Sequence, residues 1–291
     1  MQATTGPQPP TRRPRIALPT GSTDCHAHIF GPTARYPYAA DRQYTPVEST
    51  ADDYIHMLDT LGFDRAVLVQ GSAQGTDNQI LLDAIAKYPG RFLGIAVVRT
   101  DIGDDELRAL DAGGIRGIRM SNTLHPAVPL SLVKEFGERV KPLGWHLQLH
   151  FTRVDDLPAL RETIETSPVP ILLDHMASAT SQDALDGPGV KCMLEMARDN
   201  PHVWVKIAAY YRRSHAGPPY ADMQALVHAL LGTCADRLVW GSNWPHPVHN
   251  REVPDDTDLL DVFDGWVGDA DLRKRILVDN PQRLFGFSAA T

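Results

Sequence analysis

From residue 22 onward, short continuous apolar runs alternate with amphipathic stretches. The runs are TDCHAHIF (23–30), RAVLVQG (65–71), FLGIAVV (92–98), IRGIRM (115–120), WHLQLHF (145–151), PILLDH (170–175), HVWVKIA (202–208) and RLVWGSN (237–243). Most are apolar throughout rather than alternating, as expected of parallel strands covered on both faces. Between them, helical spacing predicts helices near 50–61, 104–112, 130–141, 155–166, 188–199 and 220–232, then 256–267 and 269–279. Thr76 and Asp77 precede the amphipathic NQILLDAIAKY and read as its N-cap. Eight strand–helix alternations predict a single (β/α)8 TIM barrel of α/β class over residues 22–291. A doubly wound sheet is the structural alternative, but no GxGxxG follows the first strand.

Composition narrows the function. With 291 residues, the chain has the length of one such barrel. A net charge of −8 without a basic stripe excludes nucleic acid as an expected partner. No apolar run approaches 18 residues, so no membrane span is predicted. Cys25, Cys192 and Cys234 are odd in number, scattered and free of any CxxC pair, which suits a reducing cytoplasm. Residues 1–21, rich in Pro, Thr and Gln, read as a flexible N-terminal arm that wraps the domain or a neighbouring copy in a homo-oligomer.

Candidate chemistry gathers where strands end. His26 and His28 on the first strand share one face by period-2 geometry. Ser72 follows the second strand, Arg119 closes the fourth, His150 the fifth, and Asp174-His175 the sixth. Asn243 ends the eighth, with His246 just beyond, and Arg212 follows the seventh. These groups converge only if the sheet closes, and any one histidine alone has an ordinary packing explanation. Two long irregular stretches, 31–49 and 210–220, would sit at the same mouth.

The motifs DCHAHIFGP, VQGSAQGTDN, GGIRGIRM, ILLDHM and LVWGSNWPHP resemble the amidohydrolase superfamily, in its 2-pyrone-4,6-dicarboxylate lactonase and galactarolactone isomerase branch. The similarity spans residues 22 to 286. It implies hydrolysis of a small anionic lactone, with His26, His28 and His175 polarising the carbonyl. Ser72, Arg119 and Arg212 would hold substrate carboxylates, a task suited to the guanidinium fork. His125 stands in a region where the family has a further arginine, and His150 where it has a tyrosine.

One departure bears on mechanism. The family's strand-8 aspartate, its general base, is Asn243 here, and an amide orients but does not abstract a proton. Asn at this position resembles the isomerase, in which a substrate hydroxyl attacks the lactone at high effective molarity. Lactone hydrolysis and lactone isomerisation are therefore both carried forward. A metal-dependent decarboxylase and a non-catalytic binding barrel are the lesser alternatives. No lysine lies within 112–133 to bridge two metals, which leaves no metal or a single zinc at His26, His28 and His175.

Overall fold

The computed structural model describes residues 6–124, 126–248 and 253–288. All eight predicted strands form, as β1 (Thr23–Ala27), β2 (Arg65–Val69), β3 (Phe92–Ala96), β4 (Ile115–Ser121), β5 (His146–His150), β6 (Ile171–Leu173), β7 (Val203–Ala208) and β8 (Leu238–Gly241). They pair in parallel in sequence order. Closure between β8 and β1 is made just beyond β8. Ala27 bridges Trp244, the Asn243 amide donates to the His26 carbonyl (2.8 Å), and the His28 amide donates to the Trp244 carbonyl (2.7 Å). The chain is thus a TIM barrel.

Asp24 reinforces this seam. Its carboxylate accepts from the Ser242 hydroxyl (2.5 Å), the Ser242 amide (3.0 Å) and the Tyr54 hydroxyl (2.9 Å). Burial nonetheless pushes it up to about 6, against those hydrogen bonds. Gly241 is required at the same seam, because a Cβ there would lie 2.6 Å from the His26 Cβ and 2.7 Å from its backbone nitrogen.

The helices are α1 (Ala51–Leu61), α2 (Gln79–Lys87), α3 (Asp104–Ala112), α4 (Val133–Val140), α5 (Leu157–Glu165), α6 (Pro188–Asp199), α7 (Tyr210–Arg213), α8 (Gln224–Cys234), α9 (Asp256–Val267), α10 (Ala270–Lys274) and α11 (Asn280–Phe285). Their apolar faces cover the strands. Tyr54, Met57, Leu58 and Leu61 are the buried face of α1, which Thr50 and Asp53 start with a capping box. The start of α2 differs from the expected Thr76-Asp77 cap. The residue before it is Asn78, whose side chain instead clamps Val97, donating to its carbonyl (2.9 Å) and accepting from its amide (3.1 Å). Asn78 thus ties the mouth end of β2 to that of β3, while Asp77 accepts from the Gln79 amide.

Residues 11–15 lie along α9: Thr11 bonds Asp255, and Arg12 reaches Asp258 and Asp261. Cys25, Cys192 and Cys234 are buried free thiols. Among the described residues, no helix is long and apolar enough to cross a membrane.

Candidate active site

The C-terminal ends of the strands bring the expected histidines together. His26 Nε2 lies 3.3 Å from His28 Nε2, and the His26 and His175 rings are centred 4.5 Å apart. His150 stands at the edge of this group, its ring 6.1 Å from that of His175 and its Nδ1 3.4 Å from the Ser121 hydroxyl. His175 reaches its place through an unusual turn: His175, Met176, Ala177 and Ser178 all have φ between 50° and 65°. Successive left-handed non-glycine residues cost roughly 1–2 kcal/mol each. The turn is held by the Ser178 hydroxyl, which donates to the Phe151 carbonyl and accepts from Arg213, both at 2.7 Å.

Asp174 and Lys206 organise the charges. Asp174 accepts from Arg119 and Gln148, each at 3.1 Å, and lies 3.1 Å from His26 Nδ1. The Lys206 ammonium, fully buried inside the barrel, is 3.0 Å from His26 Nδ1, 2.8 Å from Gln148 Oε1 and 3.5 Å from Asp174. Burial alone would raise the Asp174 carboxyl, but the ionic surroundings, with Lys206 and the Arg119 guanidinium against it, hold it well below the usual range. Burial lowers His26 to about 4, against the pull of Asp174, and drives His28 and His175 down as well. The three rings are therefore neutral near pH 7. Sequence reading passed over Lys206, although a lysine inside the apolar run VWVKIA was a visible signal.

An ammonium only donates, so His26 Nδ1 accepts from Lys206 and its proton sits on Nε2. That proton faces His28 Nε2, while His28 Nδ1 donates to the Val69 carbonyl (2.7 Å). His26, Asp174 and His175 place three potential ligand atoms within 4.8 Å of one another. Lys206 and Arg119 already balance Asp174, the one carboxylate of this cluster among the described residues. A divalent ion would add two positive charges to that buried cluster, so this donor set does not suit one.

The remaining expected residues divide. Ser72 is buried and bonded to Tyr44, which packs with Phe30 and Ala73 under the loop at 31–49. Arg119 is buried, and its Nε has no hydrogen-bond partner among the described residues. Arg212 is exposed on α7, its charge acting on Tyr44, Tyr211 and His150. Asn243 donates its Nδ2 to the Tyr211 hydroxyl (2.7 Å), and His246 is fully buried beside the same hydroxyl (2.9 Å). His125 lies outside the described residues. A separate cavity of about 270 Å³ between α2 and α3, lined by Asn78, Arg99 and Ile102 among others, contains none of these groups.

A family profile described as Amidohydrolase matches residues 23–287. The chain belongs to the amidohydrolase family. Within it, the chain is 37% identical to a 4-sulfomuconolactone hydrolase of Rhizobium radiobacter, over 96% of each chain. It is 33% identical to a 2-pyrone-4,6-dicarboxylate hydrolase of Comamonas testosteroni, over 94% of this chain and 92% of that one. It is also 29% identical to a D-galactarolactone isomerase of Agrobacterium fabrum, over 94% of each. A crystal structure from Agrobacterium tumefaciens superposes with a TM-score of 0.87 at 27% identity, covering 96% of this chain and 98% of that one. This amidohydrolase is thus an enzyme whose similar relatives act on lactones.

Proposed function

We propose that this amidohydrolase opens a small anionic lactone by hydrolysis, without a metal ion. The observation that carries the reading is the cluster itself: three neutral histidines at the barrel mouth beside the buried cations Arg119 and Lys206. A neutral histidine cluster beside fixed cations suits an oxyanion that develops on a lactone carbonyl. Arg119 spends one N–H on Asp174, and its remaining donors suit a substrate carboxylate. Ser72 bonds Tyr44, and the charge of Arg212 acts on both Tyr44 and His150, so Arg212 supplies the exposed cation that would draw an anion in. The similarity to two lactone hydrolases supports hydrolysis over other carbonyl chemistry. Three buried free thiols support a reducing compartment such as the cytoplasm.

Isomerisation is the second reading, and Asn243 favours it. The amide at the family's base position has its nitrogen committed to Tyr211 and brings no carboxylate to activate water.

The test is NMR of the purified, metal-analysed protein with 2-pyrone-4,6-dicarboxylate, muconolactones and galactaro-1,5-lactone. Ring opening with acid release, unchanged by a chelator, is the expected result. Migration of a 1,5- to a 1,4-lactone without opening would replace hydrolysis by isomerisation. Loss of turnover on chelation, restored by zinc, would overturn the metal-free reading.

A further inference from the structure

Asn243 leaves a hydrolase without its general base, yet a second polar chain starts at its side-chain nitrogen. Asn243 Nδ2 donates to the Tyr211 hydroxyl at 2.7 Å, and that hydroxyl lies 2.9 Å from His246 Nδ1. His246 Nε2 in turn lies 3.2 Å from Asp256 Oδ1. His246 and Asp256 are both fully buried. Among the described residues neither the Asp256 carboxylate oxygens nor His246 Nε2 makes a hydrogen bond, so the two groups face each other as a close buried contact. Asp256 is the first residue of α9, where the helix end favours a negative charge.

With Asp256 facing Nε2, the donors and acceptors run in the following direction. Asn243 gives a proton to the Tyr211 oxygen, Tyr211 gives its own to His246 Nδ1, and His246 carries its proton on Nε2 toward Asp256. In that direction His246 Nδ1 is the acceptor, and the Tyr211 hydroxyl stands between it and Asn243. The backbone aims these groups deliberately: Asn243 and His246 both adopt left-handed φ, at 66° and 62°, in a turn closed by the His246 amide on the Asn243 carbonyl.

We propose that His246, backed by Asp256 and reached through Tyr211, is the proton acceptor for water in this chain, replacing the missing carboxylate at 243. Asn243 orients the water. As the water oxygen bonds to the lactone carbonyl carbon, its proton passes to the Tyr211 oxygen while the Tyr211 proton passes to His246 Nδ1. The tetrahedral oxyanion then collapses and the ring C–O bond breaks. The leaving ring oxygen takes the proton back from His246 through Tyr211, so lactone plus water gives the hydroxy acid. Tyr211 is the catalytic residue of this relay, and His246 and Asp256 act through it.

The inference rests on the hydrolase reading, and one experiment separates their failures. Ring opening is followed for wild type, Tyr211→Phe, Asp256→Asn and the double variant Tyr211→Phe/Asn243→Asp, each checked for folding by circular dichroism. Losing a general base costs about 10²- to 10⁴-fold. Tyr211→Phe should therefore lower kcat at least 100-fold with KM within about threefold, and Asp256→Asn should lower it in the same way. Asn243→Asp should recover at least tenfold in the Tyr211→Phe background, since a carboxylate at 243 bypasses the relay, which a packing role for Tyr211 would not allow. A wild type that opens no lactone overturns the hydrolase reading and this base with it. A wild type that opens the ring, with Tyr211→Phe at near wild-type kcat or no rescue by Asn243→Asp, overturns the relay alone. Independently of turnover, long-range ¹H–¹⁵N spectra of the wild type should show His246 protonated on Nε2. A proton on Nδ1 would reverse the chain and exclude it.

Discussion

Asp174 is the residue on which most of the site depends. It is fully buried and is the counter-charge for two buried cations, Arg119 and Lys206. Removing one partner of a buried ionic group leaves the others uncompensated, a loss of about 3–5 kcal/mol. Asp174→Asn is nearly isosteric, so packing changes little and the charge effect dominates. We expect it to lower unfolding free energy by that amount in urea titration, and a loss under about 1 kcal/mol would mean the cations find other compensation. Lys206 itself explains why the HxH pair was legible while its chemistry was not. The motif and its spacing gave the positions of His26 and His28, but tautomers depend on what lies opposite in space. Lys206 is 180 residues away in sequence from His26, and Gln148 and Asp174 join it only through barrel closure.

At the scale of elements, parallel strands were legible because both faces are buried and the runs stay apolar to their ends. The short pieces were not. The left-handed turn at 175–178 contains no glycine, so no local residue preference announces it. The relay was hidden for a similar reason: Tyr211 sits in α7, a helix of four residues, and Asp256 reads as an ordinary acidic helix start. The seam between β8 and β1 gives a prediction at this scale. Gly241→Ala would force the His26 backbone and Cβ apart from β8, and neither is a flexible side-chain end. Overpacking of this kind costs roughly 1–3 kcal/mol. The variant should show a lower melting temperature and, because His26 moves, a fall in lactone turnover. Unchanged melting and turnover would mean that the seam can widen without consequence.

The whole molecule carries its titrating groups inside the barrel, which makes its stability depend on pH in a calculable direction. His26 is lowered by burial to about 4, and His146, buried and near Lys206, to about 3, from an ordinary 6.5. A depressed histidine is neutral in the native state and takes a proton only on unfolding. Its contribution is full above pH 6.5 and is lost as pH falls toward the folded value, by about 1.4 kcal/mol per pH unit for each group. Asp24 works the other way. Raised by burial from 3.8 to about 6, it is protonated in the native state first and favours folding as pH falls through that window. Two histidines against one aspartate leave a net loss of about 1.4 kcal/mol per unit, or roughly 3 kcal/mol between pH 6 and 4. His28 and His175, also lowered by burial, add to the loss. The net charge of −8 opposes it, because acid relieves surface repulsion, but exposed charges are screened by salt and buried ones are not. Urea midpoints at 0.15 M salt should therefore fall steadily from pH 7 to pH 4.5. A midpoint that holds or rises over that range would show that the interior histidines take up protons without opening the barrel. Both the neutral cluster and the oxyanion chemistry proposed for it would then have to be redrawn.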